Sequence, residues 1–381
     1  MMEKKPVVMQ ILPALQSGGV ERGTIEIAKA LTEAGYKNYV VSSGGPMAYD
    51  LKRIGVEHIT LPVHSKNPIT IFKNARRLKK IICEKEVDIV HVRSRAPAWA
   101  AWLAVRKNPK VKFLTTFHGT YGLSPKFLKK PYNAVMTKGK LIISISNFIT
   151  EHLKKNYGVP EDKIRLIHRG ADVEKFDPVC VNPERVVELV QKWQVPVDRP
   201  VIMLPGRLTR WKGQLVLLEA LSLMKHQKIV CILVGSDQGR TSYTDELKAK
   251  IQKLKKEISV LIVNHCKDMP AAYMLSDIVV SASTDPEAFG RVIPEAQAMG
   301  RLVVGSNHGG ATETIEEGKT GLLVPPSDAQ ALAEALDKML DMPLDVRKKM
   351  SADAMESVRA NFSVRKMCAK TLSVYDELMR M

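Results

Sequence analysis

A chain of 381 residues, 45% of them hydrophobic, can bury substantial cores, and its length points to two domains with a cleft between them. The formal charge of +18 is lopsided, with 31 basic against 15 acidic residues up to Cys180 and 27 against 25 beyond it. The five cysteines, Cys83, Cys180, Cys231, Cys266 and Cys368, are scattered without C-x-x-C spacing, which argues against a disulfide framework or a zinc site and suits a cytoplasmic protein.

Short apolar runs alternate with helical periodicity from the start: Val7–Leu12, then Val20–Ala34, Tyr39–Ser43 and Met47–Ile54. The alternation continues with Val87–Val92, an Ala- and Trp-rich helix near Pro97–Val105, Lys112–Phe117, and Leu141–Ile145 before a helix opening at Ser146 or Asn147. Residues 179–198, with Pro183, Pro196 and Asp198, read as an interdomain connection around one helix. A second series has strand candidates at Val201–Leu204, Ile229–Val234, Ser259–Val263, Ile278–Ser281, Leu302–Gly305 and Leu322–Val324, and the chain ends in helices at Leu344–Asn361 and Val364–Met381. Alternation of this kind implies an α/β protein with two Rossmann-like domains facing across a cleft, each a mostly parallel sheet covered on both faces. The boundaries expected are 1–178, joined by the last helix at 364–381, and 199–360.

Ligands of open parallel sheets lie beyond the carboxyl ends of the strands, so chemistry is expected in the loops that follow strands. Gln16-Ser17-Gly18-Gly19 follows the first strand and opens the first helix, where paired glycines let the backbone approach an anion; a tight turn alone would also want them. His118 follows Lys112–Phe117 beside Gly119. Gly206-Arg207-Leu208-Thr209-Arg210-Trp211-Lys212-Gly213 puts Arg207 and Lys212 before a helix, suiting a diphosphate, but it is not a P-loop because Gln214 follows Gly213. Glu287-Ala288-Phe289-Gly290-Arg291-Val292-Ile293-Pro294-Glu295 follows Ile278–Ser281, with Glu287 and the Phe289-Gly290 amides expected in a loop and Glu295 in the helix.

The Gly-Arg-Leu-x-x-x-Lys-Gly segment, the E-x7-E pattern from Glu287 to Glu295 and Gly309-Gly310-x-x-Glu313 resemble the retaining, nucleotide-sugar-dependent glycosyltransferases with the GT-B fold. Ile167-His168-Arg169-Gly170-Ala171-Asp172 is similar to that family's interdomain signature, although Arg169 stands where Asn is usual, Ala288 where Gly is frequent, and Asn264-His265-Cys266 in place of the usual loop beside the base. The resemblance implies a UDP- or GDP-sugar as donor substrate, with no separate cofactor and no metal. It assigns Arg207 and Lys212 to the diphosphate, Glu295 to the ribose, Glu287, Phe289 and Gly290 to the transferred sugar, His118 to its neighbourhood, and Gly18 and Gly19 to the phosphates. It further implies that the final helix crosses back onto the N-terminal domain.

The basic excess of the first half calls for an anionic partner: a membrane surface, a phosphorylated acceptor or nucleic acid. Residues 72–82 form a basic amphipathic helix whose Phe72, Ala75, Leu78 and Ile82 are expected to share one face, with Lys73, Arg76, Arg77, Lys79 and Lys80 on the others; Lys129 and Lys130 form a second cluster. Either these cations meet anionic lipid, or Phe72 and Leu78 pack on the sheet and the lysines are solvated. We expect a glycan or glycolipid acceptor, as in bacterial lipopolysaccharide or envelope assembly. No run of about 18 apolar residues exists and Met1–Pro6 does not begin a signal peptide, so the reading is a cytoplasmic protein, peripheral at the inner face of the plasma membrane. Nucleic acid is set aside because no aromatic stacking platform alternates with the cations. Among GT-B enzymes, a small-molecule glycosyltransferase or a sugar epimerase is the alternative, the E-x7-E pattern giving the epimerase no support.

Overall fold

The computed structural model describes residues 5–16, 18–123 and 125–381; Ser17 of the first glycine motif and most of Met1–Pro6 lie outside the described residues. The chain forms two compact units, Met1–Arg169 with Arg365–Met381, and Gly170–Val364.

In the first unit the strands are β1 (Val8–Ile11), β2 (Asn38–Ser42), β3 (Glu57–Thr60), β4 (Ile89–Val92), β5 (Lys112–Phe117), β6 (Leu141–Ser144) and β7 (Ile164–Leu166), and the helices are α1 (Gly19–Glu33), α2 (Ala48–Arg53), α3 (Pro68–Glu84), α4 (Arg95–Val105), α5 (Lys126–Asn133) and α6 (Asn147–Tyr157). Seven parallel strands run in the order β3-β2-β1-β4-β5-β6-β7. The inner strands are buried on both faces, which is why they read as unbroken apolar runs. Edge strand β3 has no buried residue, and its mixed pattern gave the sequence no strand signal. Helix starts follow local chemistry: Asn67 accepts from the Ile69 and Thr70 amides ahead of α3, with Pro68 in its first turn, and Ser146 accepts from the Ile149 amide ahead of α6.

One helical face differs from expectation. The buried side of α3 is Ile71, Asn74, Ala75, Leu78 and Ile82, whereas Phe72 is 60% exposed. The buried Asn74 donates to the Pro62 carbonyl at 3.0 Å, so a polar residue holds an inward position and Phe72 turns outward.

The second unit opens with α7 (Pro183–Trp193), so the stretch expected as the connection carries a helix of this unit, held by Arg185 to Asp268 at 2.6 Å. There follow β8 (Val201–Pro205), α8 (Gln214–Leu223), β9 (Val230–Val234), α9 (Thr241–Ile251), β10 (Ser259–Val263), α10 (Met269–Leu275), β11 (Ile278–Ser281), α11 (Val292–Ala298), β12 (Leu302–Ser306), α12 (Ala311–Thr314), β13 (Leu322–Val324), α13 (Ala329–Asp341) and α14 (Leu344–Asn361). Six parallel strands run in the order β10-β9-β8-β11-β12-β13. Ile202, Leu204, Leu217, Leu233 and Val280 lie in its fully enclosed core.

The last helix, α15 (Val364–Arg380), returns to the first unit as expected. Tyr375 Oη meets His91 Nδ1 of β4 at 2.7 Å, and Tyr36 donates to Asp376 at 2.8 Å. Arg165 of β7 forks onto the Glu377 carboxylate.

Candidate active site

In the second sheet the strand order reverses direction between β8 and β11, and the loops after those two strands meet there. Such a switch point opens a crevice at the carboxyl edge of an α/β sheet. The loop after β8 ends in Gly213, which caps α8 with φ +72°; a Cβ there would run into the Ala282 carbonyl after β11. Only glycine permits that approach together with that backbone angle. The Thr284 amide also donates to the Trp211 carbonyl at 2.8 Å, tying the loops together.

Across this junction Lys212 Nζ donates to Glu287 Oε1 at 2.7 Å, with side chains only 13% and 15% exposed. Ser283 Oγ donates to the same oxygen at 2.6 Å and Ser281 Oγ at 3.4 Å. Burial by itself would push the Glu287 pKa up, but the Lys212 charge and the Lys212, Ser283 and Ser281 hydrogen bonds outweigh it and hold the carboxyl below its ordinary value of 4.5. Glu287 is therefore ionised at neutral pH and is no proton donor. An ammonium carries three donors, so Lys212 keeps bonding capacity beyond Glu287, and it also lies 4.5 Å from the Trp211 ring centroid.

Arg207 is exposed at the same edge. Its loop is fixed from below, because Gln214 Nε2 donates to the Arg207 carbonyl at 2.9 Å while Gln214 Oε1 accepts from Tyr243. The 287–290 backbone is gripped by Gly309-Gly310: the Gly310 amide donates to the Glu287 carbonyl at 2.8 Å, and a Cβ on Gly310 would strike the Phe289 backbone. Phe289 is buried as a whole residue, 2% exposed with its ring centroid 6.0 Å from that of Phe362, and Gly290 beside it is half-buried. A narrow cavity remains beside Ser281, Ser283, Glu287, Gly290 and His308.

Glu295 lies in the first turn of α11, as its position in the motif suggests, and is buried. Tyr273 donates to its Oε2 at 3.3 Å and Arg291 Nε lies 3.4 Å from its Oε1. Arg291 and Tyr273 were not singled out in the sequence, nor were Ser281 and Ser283. Ser283 stands four residues before Glu287, a spacing that a β-strand-to-loop reading could have used. Tyr273 is 22 residues away and left no such signal.

The remaining expected residues belong to the first unit. Gly18 precedes α1 and Gly19 begins it, at the carboxyl edge of β1. Arg169, the departure from the usual Asn, donates to the Gly19 carbonyl, and its guanidinium fills the space where a Cβ on Gly23 would lie. His118 stands at the end of β5 with Nε2 buried and no hydrogen-bond partner among the described residues. Burial, then the charges of Arg169 and Arg93, push its pKa well below 6.5, so the ring is neutral at pH 7. Arg93, after β4, is 2% exposed and donates to Gln10 at 2.6 Å. Lys73, Arg76, Arg77, Lys79 and Lys80 are exposed along α3, as are Lys129 and Lys130 on α5.

Two parallel-sheet α/β domains, the second with cation, carboxylate and helix N-terminus gathered at its switch point, define a transferase architecture of the GT-B type. The chain belongs to the glycosyltransferases: the family described as "Glycosyl transferases group 1" matches residues 187–357, and "Glycosyltransferase Family 4" matches residues 17–175. The crystal structure of a glycosyltransferase from Rickettsia africae ESF-5 is 43% identical, with a TM-score of 0.91 over 99% of each chain. D-inositol 3-phosphate glycosyltransferase of Corynebacterium glutamicum (strain R) is 31% identical over 234 residues, which are 60% of this chain and 54% of that protein. Anabaena Alr3699/HepE in complex with UDP-glucose has a TM-score of 0.80 at 23% identity over 97% of this chain and 100% of that one, a likeness that speaks for the fold alone.

Proposed function

We propose that this glycosyltransferase takes its sugar from a nucleoside-diphosphate sugar held by the second unit, UDP- or GDP-linked, and transfers it with retention of configuration. The observation that carries the reading is the Lys212–Glu287 pair across the β8/β11 junction, beside the N-terminus of α8. Arg207, Lys212 and the α8 amides would neutralise the diphosphate and the charge that grows on it as the glycosidic bond breaks. In that role they supply what a divalent cation would, so the activity is expected to be unaffected by EDTA. Glu295, positioned by Tyr273 and Arg291, would accept from the ribose hydroxyls. Glu287 and the Phe289-Gly290 main chain would hold the transferred sugar. Gly18, Gly19 and the neutral His118 are assigned to the same donor on the family resemblance, and the complex of the Anabaena protein with UDP-glucose makes a uridine diphosphate sugar the first donor to try.

For the acceptor we propose a lipid-linked glycan of the bacterial envelope, lipopolysaccharide among them, met by a chain that is cytoplasmic and peripheral to the membrane. The charge excess of the first half supports this; among the described residues no helix is long and apolar enough to cross a bilayer. Kinetics of two variants test the donor assignment. Glu295→Ala should raise the donor KM about tenfold or more, the scale of a lost charged hydrogen bond, while Glu287→Ala should lower kcat more than it raises KM. Wild-type constants in both variants would refute it.

A further inference from the structure

Three large apolar side chains stand in solvent on the first unit among its densest cations: Ile69 is 67% exposed, Phe72 60% and Phe127 75%. Ile69 and Phe72 lie in the opening turns of α3, and Phe127 near the start of α5. Lys66, Lys73, Arg76 and Arg77 are exposed just before and in the first half of α3, and Lys129 and Lys130 in α5, whereas Lys80 lies toward the far end of α3, 3.6 Å from Glu84, the carboxylate of that helix. Outward aromatics have no packing reason here, since Ile71 and Leu78 already supply the inner face of α3.

Topology places the starts of both helices at one edge of the sheet. In a sheet whose strands are all parallel, each helix that follows a strand starts at the carboxyl edge. The starts of α3, after β3, and of α5, after β5, are therefore at the same edge of the first sheet as His118 and Gly18-Gly19. We propose that this surface docks on anionic lipid, with Ile69, Phe72 and Phe127 entering the headgroup boundary and the α3 and α5 cations meeting the phosphates, so that the bilayer presents its substrate at the carboxyl edge of the sheet. Charge complementarity selects the membrane over a second copy of this chain, whose same surface would carry the same positive charge. The inference deepens the acceptor half of the proposed function and rests on it.

Flotation with phosphatidylglycerol vesicles and with phosphatidylcholine vesicles tests it, using the wild type and the triple variant Ile69→Ser, Phe72→Ser, Phe127→Ser. These side chains are exposed, and an unchanged melting temperature verifies the variant's fold. The wild type should float with the anionic vesicles alone and be released by salt, and the variant should bind them at least about tenfold more weakly, as loss of buried apolar area requires. Equal binding to both lipids, equal binding by both proteins, or self-association of the wild type that the variant abolishes would each overturn the proposal. Stabilisation by UDP-glucose and by GDP-glucose is measured on the same samples: no stabilisation by either, with lipid binding intact, would remove the donor reading and leave the docking surface standing.

Discussion

At the scale of single residues the balance around Glu287 decides the chemistry. A buried carboxylate is tolerated there because Lys212 is 2.7 Å away and two serine hydroxyls share the load. Removing one partner of a buried pair costs about 3 kcal/mol, because the other charge is left without compensation. Lys212→Ala should therefore lower the melting temperature by several degrees and raise the Glu287 pKa, and the double variant Lys212→Ala, Glu287→Ala should recover part of the loss. The pH dependence has a definite sign. The folded pKa of Glu287 is below 4.5, so its contribution is complete above that value and is lost as pH falls through the lowered one. Glu287→Gln should flatten the acid limb of a stability–pH curve below about pH 4.5, and an unchanged limb would show that the carboxylate is not held by Lys212.

Elements act by bringing such residues to one edge, and two contacts do most of it. At Gly213 a positive φ and the Ala282 carbonyl both forbid a side chain, so Gly213→Ala should cost about 2 kcal/mol or more and part the β8 and β11 loops. Chemical denaturation with donor titration would read both effects. At α15 the contact is the buried pair of Tyr375 and His91. Tyr375→Phe leaves the imidazole nitrogen unsatisfied and should cost about 1 to 3 kcal/mol, with faster hydrogen exchange along 364–380. Much of this framework is legible in the sequence, because strands buried on both faces are apolar runs and βα alternation implies parallel pairing. Lys112–Phe117, Ser259–Val263 and Ile278–Ser281 have the bounds their runs suggest. What escapes is set by tertiary contacts: β3 is an exposed edge, Asn74 is drawn inward by the Pro62 carbonyl so that Phe72 points out, and Tyr273 reaches Glu295 from a helix 22 positions earlier. The candidate site follows the same division, its loop motifs being visible and its supporting hydroxyls and aromatics not.

For the whole molecule, each unit carries its own electrostatic character. The first holds its surplus of cations at the surface and, inside, His91 and His118 whose pKa values burial drives well below 6.5. A histidine buried neutral stabilises fully above 6.5 and loses that contribution as pH falls below it, because the unfolded chain then takes up protons that the folded one refuses. The melting temperature should accordingly drop between about pH 6.5 and 5, and His91→Phe, which also removes the Tyr375 contact, should be less stable at pH 7 but flatter over that range. The second unit, near charge balance, sets Arg207 and Lys212 at one junction, which is where the donor is assigned. The most direct measurement of the central claim is thermal stabilisation by UDP-, GDP- and ADP-glucose at a series of concentrations, with Lys212→Ala as the comparison. The account predicts that one uridine or guanosine sugar raises the melting temperature in a saturable way and that Lys212→Ala loses most of the effect; no stabilisation by any of the three, or stabilisation undiminished in Lys212→Ala, would contradict it.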